Sequence, residues 1–286
     1  MKVQHFYDRR TGSLTYVVAD DASRTAVVID PVMDYDPKAG RVYLESAEVV
    51  ASYIDQAGYQ IPFVLDTHPH ADHMSAMQFF RERYGAKTVI GKQVTAVQRV
   101  FGELFHLGEE FPTDGSQFDV LLEDHGTLDA GPFEIEALPI GGHTPASVGY
   151  RINDAVFVGD TLFQPDAGTA RCDFPGGSAG ELYDGIQRLF ALPAETRLYT
   201  LHDYQPGGRE LRFESTVAEQ RRDNIHIHDG VSREEFVALR AKLERGKEAP
   251  TLLFPAVQVN IRAGQLPPPE ANAIRYLKIP LNAFNT

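Results

Sequence analysis

Seven side chains between His68 and His202 have the types and the spacing to hold a metal ion. The segment Thr67-His68-Pro69-His70-Ala71-Asp72-His73 packs three imidazoles and one carboxylate into a polar run directly after a short apolar one, Ile61 to Asp66. Imidazole and carboxylate are the donors that borderline divalent metals prefer, and closely spaced donors on a loop can turn toward one centre. Further along, Gly141-Gly142-His143-Thr144, Val158-Gly159-Asp160-Thr161 and Leu201-His202-Asp203 each end an apolar run. A lone histidine near a strand end is as a rule a surface or satisfied core residue. A cluster followed by three more such positions is not explained by packing. His5, His106, His125, His226 and His228 stand outside the pattern and receive no ligand role.

The elements that must carry these residues follow from periodicity. Val3 to Tyr7, Leu14 to Val18 and Ala26 to Ile29 are β-branched or aromatic runs separated by turn signals, and they predict an opening meander. Val42 to Ala57 predicts a helix that buries Leu44, Val49, Val50, Tyr53, Ile54 and Ala57 and stops at Gly58. Ile61 to Asp66 predicts a buried strand, Met74 to Tyr84 a helix, and Thr88 to Ile90, Phe133 to Leu138 and Ala155 to Val158 further strands. Ser178 with Glu181, Thr216 with Glu219 and Ser232 with Glu235 match the capping box and mark three helix starts. From Pro250 onward the composition shifts, and 250–286 reads as an extended arm lying on the body.

Composition narrows the function. With 43% hydrophobic and 23% charged residues the chain is an ordinary globular protein, long enough for a large core. Its net charge of −13 repels polyanions, which weighs against nucleic acid as a partner. Cys172 is the single cysteine, so an internal disulfide is ruled out, and the start MKVQHFYDRR lacks the apolar core of a secretory signal. No stretch approaches the length of a membrane span. Cytoplasm is the expected location.

The motif HxHxDH with downstream His143, Asp160 and His202 resembles the metallo-β-lactamase superfamily. The resemblance implies an α/β fold, an αβ/βα sandwich of two facing mixed sheets with outer helices. Its catalytic domain would cover 1–249, with 250–286 packing on it. In the superfamily's hydrolases one zinc would be held by His68, His70 and His143 and a second by Asp72, His73 and His202, with Asp160 bridging. Such a pair suits thioester or lactone cleavage.

Gly168-Thr169-Ala170-Arg171-Cys172-Asp173-Phe174-Pro175-Gly176-Gly177, together with Pro268-Pro269-Glu270-Ala271-Asn272 and Tyr276-Leu277-Lys278-Ile279-Pro280-Leu281-Asn282, resembles the persulfide dioxygenases, especially their bacterial glutathione-using branch. The sequence departs at Ser178, where many relatives carry an acidic residue. The resemblance implies one Fe(II) per chain on His68, His143 and Asp160, a facial triad with open positions. His70, Asp72, His73 and His202 would then orient ligands and handle protons. Glutathione persulfide and O₂ would be converted with water to sulfite and glutathione, and the chain would form a homodimer. Arg171, Tyr204, Arg209 and Arg212 are the residues expected to hold the peptide, Arg171 first because its fork meets a carboxylate bidentately. Cys172 is expected to support its loop rather than to react. The competing expectations are a dinuclear zinc hydrolase of a glutathione thioester, like the glyoxalase II branch, a lactonase, and a non-catalytic redox sensor.

Overall fold

A computed structural model describes residues 1–283. The meander forms as the alternation predicts: β1 (Lys2–Asp8), β2 (Ser13–Asp20) and β3 (Thr25–Ile29) pair antiparallel. On β2 the period of two is visible in burial, since Val17 and Ala19 face one layer while Leu14, Tyr16 and Val18 face the other. After β4 (Val32–Asp36) and β5 (Arg41–Tyr43) comes α1 (Glu45–Ala57), which ends at Gly58 with φ 68°. Its buried stripe is Ala47, Val50, Ala51 and Ile54, while Leu44 and Val49 face solvent. Tyr53 and Ala57 pack partly buried against the same layer, so Leu44 and Val49 are the two positions that depart from the sequence reading.

Next come β6 (Phe63–Leu65), β7 (Met74–Ser75), α2 (Met77–Tyr84), β8 (Lys87–Gly91) and α3 (Val94–Leu104). Met74 and Ser75, read as helix from the sequence, instead pair with β4. With β9 (Val120–Leu122) the first sheet is complete in the order β1-β2-β3-β6-β8-β9. Its last three pairings are parallel.

The second sheet holds β10 (Thr127–Asp129), β11 (Glu134–Pro139), β12 (Val148–Ile152), β13 (Ala155–Phe157), β14 (Arg197–Tyr199) and β15 (Glu214–Thr216) in that order. Only β13 and β14 run parallel, and α4 (Ala179–Phe190) is their crossover. α5 (Val217–Asp223) and α6 (Arg233–Glu244) start at complete capping boxes, whereas Ser178 caps α4 by accepting from Glu181 N alone.

Three apolar layers make the sandwich. Leu14, Tyr16, Val18, Ile29 and Leu65 meet Ile135, Tyr150, Phe157 and Tyr199 between the sheets. Outside the first sheet lie the helices carrying Ile54, Phe80 and Phe101, and outside the second those carrying Leu182, Ile186, Val217 and Phe236. The α/β sandwich of two facing mixed sheets with outer helices is thus present.

The segment after Pro250 differs from the extended arm expected. Leu253–Asn260 forms α7, whose Ala256, Val257, Val259 and Asn260 are wholly buried against the first sheet's outer layer. Pro255 is accommodated in the first turn, where a backbone N–H has no intrahelical acceptor to lose. Beyond it Lys278 exchanges two hydrogen bonds with Gln258, and the last three positions of 250–286 lie outside the described residues. No described helix is long and apolar enough to cross a membrane.

Candidate metal centre

The donors converge because strands of both sheets end at one edge. The loop after β6 carries His68 to His73, that after β11 carries His143, and those after the parallel pair β13 and β14 carry Asp160 and His202. Ser13, at the start of β2, bridges to His202, and Leu14 N donates to Leu201 O at 2.8 Å, which ties the first sheet to the second at this point. Two glycines allow the approach. Gly142 has φ 131°, and a Cβ there would lie 2.1 Å from Leu182 N; at Gly159, φ 53°, it would lie 2.6 Å from Thr67 Oγ1.

One ligand atom from each of His68, His143 and Asp160 lies within 4.8 Å of the others. We call these the front cluster. Its tautomers are fixed from behind. His143 Nδ1 donates to Arg171 O at 2.7 Å, so Nε2 carries a lone pair. The Thr67 hydroxyl donates to Asp30 (3.1 Å to Oδ2), so its oxygen accepts from His68 Nδ1 (3.1 Å), and again Nε2 is the lone-pair nitrogen. Burial, together with His70 and His143, drives His68 well toward the neutral form. Both lone pairs face Asp160 Oδ2, at 3.8 Å from His68 and 3.6 Å from His143, too long for hydrogen bonds. His68 Nε2 and Asp160 Oδ1 are buried without any hydrogen-bond partner. Lone pairs and a carboxylate converging with no proton between them repel unless a cation lies among them. The front cluster therefore fits a metal ion.

The rear cluster is Asp72, His73 and His202. His202 Nδ1 donates to Gly12 O at 3.0 Å, and Nε2 sits 3.2 Å from Asp72 Oδ2 and 3.4 Å from Asp160 Oδ1. Burial would lower His202, but Asp160 and Asp72 outweigh it and push the imidazole up to about 10. Burial would likewise raise Asp72, yet His202 and His73 hold it well below the carboxylate range. His73 Nδ1 and Ser13 Oγ each lie 3.2 Å from the same oxygen. Here protons can satisfy the contacts. Two lone pairs remain, His70 Nδ1 and His73 Nε2, both buried and unpartnered.

Several contributors escaped the sequence reading. Asp30 and Asp66, at the ends of β3 and β6, sit under His70, whose Nε2 reaches Asp30 Oδ1 at 3.1 Å. Burial raises Asp30 to about 7 against Thr67 and His73, and burial with Asp30 raises Asp66 well above its usual range. Asn260, from α7, donates to both His70 O and His73 O at 2.8 Å and accepts from Ser75 N. Polar residues at apolar strand ends are the only signal that pointed to the two aspartates, and none pointed to Asn260.

The residues expected to hold substrate separate. Arg171 and Tyr204 border the cavity above the clusters. Tyr204 stacks on His202 at 5.5 Å and stays mostly exposed. Arg171, however, forks onto Asp173 (2.5 and 2.6 Å) and donates to Glu248 O. Arg209 is consumed by Asp166 and Asp203, and Arg212 is exposed and does not border that cavity. Cys172 is buried, with its thiol pushed up to about 12 by burial and Glu244, and its amide donates to Glu244 at 2.7 Å. It stays protonated and packs.

Known proteins share this construction. The profile described as the metallo-beta-lactamase superfamily matches residues 8–202. A probable metallo-hydrolase of Burkholderia pseudomallei is 47% identical over 99% of this chain and 100% of its own length. Glyoxylase B2 of Dictyostelium discoideum is 42% identical, covering 98% and 97%. The mitochondrial persulfide dioxygenase ETHE1 of Bos taurus is 31% identical, covering 93% and 90%. The crystal structure of ETHE1 from Myxococcus xanthus superposes with a TM-score of 0.75 at 31% identity, covering 93% of this chain and 100% of that one. Profile, sandwich and converging strand-end donors agree, and the chain belongs to the metallo-β-lactamase superfamily as one of its metal-binding enzymes.

Proposed function

We propose that the chain is a persulfide dioxygenase that converts glutathione persulfide, O₂ and water to glutathione and sulfite at one Fe(II) held by His68, His143 and Asp160. The observation that carries this reading is the contrast between the clusters: in front, lone pairs and a carboxylate oppose one another at 3.6–3.8 Å, while behind, His202 and Asp72 lie at 3.2 Å with a proton to share. Further support comes from His70, which groups with Asp72 and His73 and with Asp30 and Asp66, whereas a hydrolase-type first site would gather it with His68 and His143. When bound, Fe(II) on two imidazoles and a carboxylate offers adjacent open positions for O₂ and a sulfur donor.

The chain's own residues then have defined tasks. Arg171 O and Thr67 Oγ1 keep His143 and His68 presenting Nε2. His202 holds a proton at Nε2 between Asp72 and Asp160, next to the reacting end of the substrate. Phe163 and Ala170 line the cavity with apolar surface and limit water. The ring of Tyr204 covers His202 from the solvent side.

A second reading, thioester hydrolysis at two zinc ions, is favoured by the open lone pairs of His70 Nδ1 and His73 Nε2 and by the similarity to the probable metallo-hydrolase of Burkholderia pseudomallei. Metal analysis with oxygen uptake separates the two. About one iron per chain and uptake that depends on glutathione persulfide are expected; two zinc ions per active chain, with thioester cleavage and no uptake, overturn the oxygenase reading.

A further inference from the structure

The cavity over the clusters has two lobes. The larger, about 450 Å³, is floored by His143, Asp160 and His202; the smaller, about 320 Å³, runs between Phe174, Pro175 and Leu253. Ala71, His143, Arg171, Lys247 and Pro250 border both. A substrate whose reacting end reaches the front cluster and whose remainder fills the second lobe crosses this shared ridge, on which Lys247 and Arg171 are the cationic side chains.

Charge on this ridge is not distributed as the residue types suggest. Arg171 is neutralised by the Asp173 fork, and its remaining nitrogen donates to Glu248 O at 2.7 Å. It thus fastens the 246–250 segment to the cavity mouth. Lys247 is exposed on that segment and takes part in no ion pair among the described residues, where most of the basic side chains around the site are already paired. On a chain of net charge −13, an unpaired cation at the rim of the catalytic cavity is a local attractor for anions.

His226 faces the larger lobe beside it. Its Nδ1 accepts from Thr169 N at 2.9 Å, and since a backbone amide only donates, Nδ1 holds the lone pair and Nε2 the proton. Burial, Arg240 and Lys247 hold the ring down to about 4, so it is a neutral donor. Its position is rigid, because its own amide donates to Asn224 Oδ1 and a Cβ on Gly168 would lie 2.1 Å from its Nδ1.

We propose that Lys247, with the Nε2–H of His226, forms a carboxylate subsite for the non-reacting end of the substrate, and that Arg171 positions this subsite rather than binding in it. The proposal takes from the oxygenase reading only the identity of the reacting end; the subsite selects a carboxylate-bearing thiol derivative under either chemistry.

The test uses metal-loaded full-length protein and two probes that consume no oxygen, glutathione and glutathione diethyl ester, titrated calorimetrically. Wild-type protein is expected to bind glutathione roughly tenfold more tightly than the diester, and Lys247→Ala to abolish most of that preference while Lys247→Arg restores it. His226→Asn keeps an acceptor for Thr169 N but loses the cavity donor, and is expected to weaken glutathione several-fold with an unchanged Tm. In turnover with the persulfide, the Lys247→Ala loss should fall on KM rather than on kcat. Equal binding of acid and diester by the wild type, or a Lys247→Ala protein that still discriminates, overturns the subsite. Discrimination without persulfide-dependent oxygen uptake leaves the subsite standing and overturns the oxygenase reading instead.

Discussion

The front and rear clusters are built from the same residue types on the same sheet edge, and they differ in where their protons go. At the front, Thr67 and Arg171 O take the imidazole protons from behind, so bare lone pairs face Asp160. At the rear, Gly12 O does the same for His202, yet two carboxylates stand 3.2 and 3.4 Å from Nε2 and raise its affinity for a proton. Donor identity alone does not make an ion site. The balance of lone pairs, acids and backbone acceptors decides whether a metal or a proton is the better occupant.

The largest test of this contrast is removal of a front ligand. His143→Ala or Asp160→Ala is expected to lose the bound metal and about 10³-fold or more in turnover; metal analysis of the purified variants checks this, and full metal content would erase the distinction between the clusters. Next is Asn260→Ala, which strands His70 O, His73 O and Ser75 N in a buried setting. Loss of about 2–4 kcal/mol in urea unfolding is expected, with weaker metal retention. His202→Ala should keep its metal and lose roughly 10–100-fold in rate. A fall from two ions to one would instead show the rear cluster to be a metal site.

The smallest effect is a slope with pH. His202 rises from 6.5 to about 10 on folding, so its contribution is full below about pH 6.5 and is lost as pH climbs through 10. Unfolding measurements of metal-free wild type across that window should show declining stability that His202→Gln flattens. A metal-free wild type already flat there would take the second proton off His202.

The convergence of seven imidazoles and carboxylates was legible because such residues at four strand ends have no packing explanation, and the meander because β2 alternates between two layers. What lay hidden depended on geometry rather than residue type. Arg171 serves His143 through its backbone carbonyl, which any residue supplies. Asp173 and Asp203 cancel Arg171 and Arg209, and no local pattern shows which carboxylate an arginine will meet. α7 was hidden because the shift in composition from Pro250 onward reads as an arm, although Pro255, in a first turn, costs the helix no hydrogen bond.

The clamp of Asn260 on the ligand loop sets an order of events during synthesis. The carbonyls of His70 and His73 wait for an amide that leaves the ribosome 187 residues after His73, roughly ten to forty seconds later at ordinary translation rates. Until then the histidine-rich loop lacks its buried anchor, and it takes up the geometry described above only once α7 has docked.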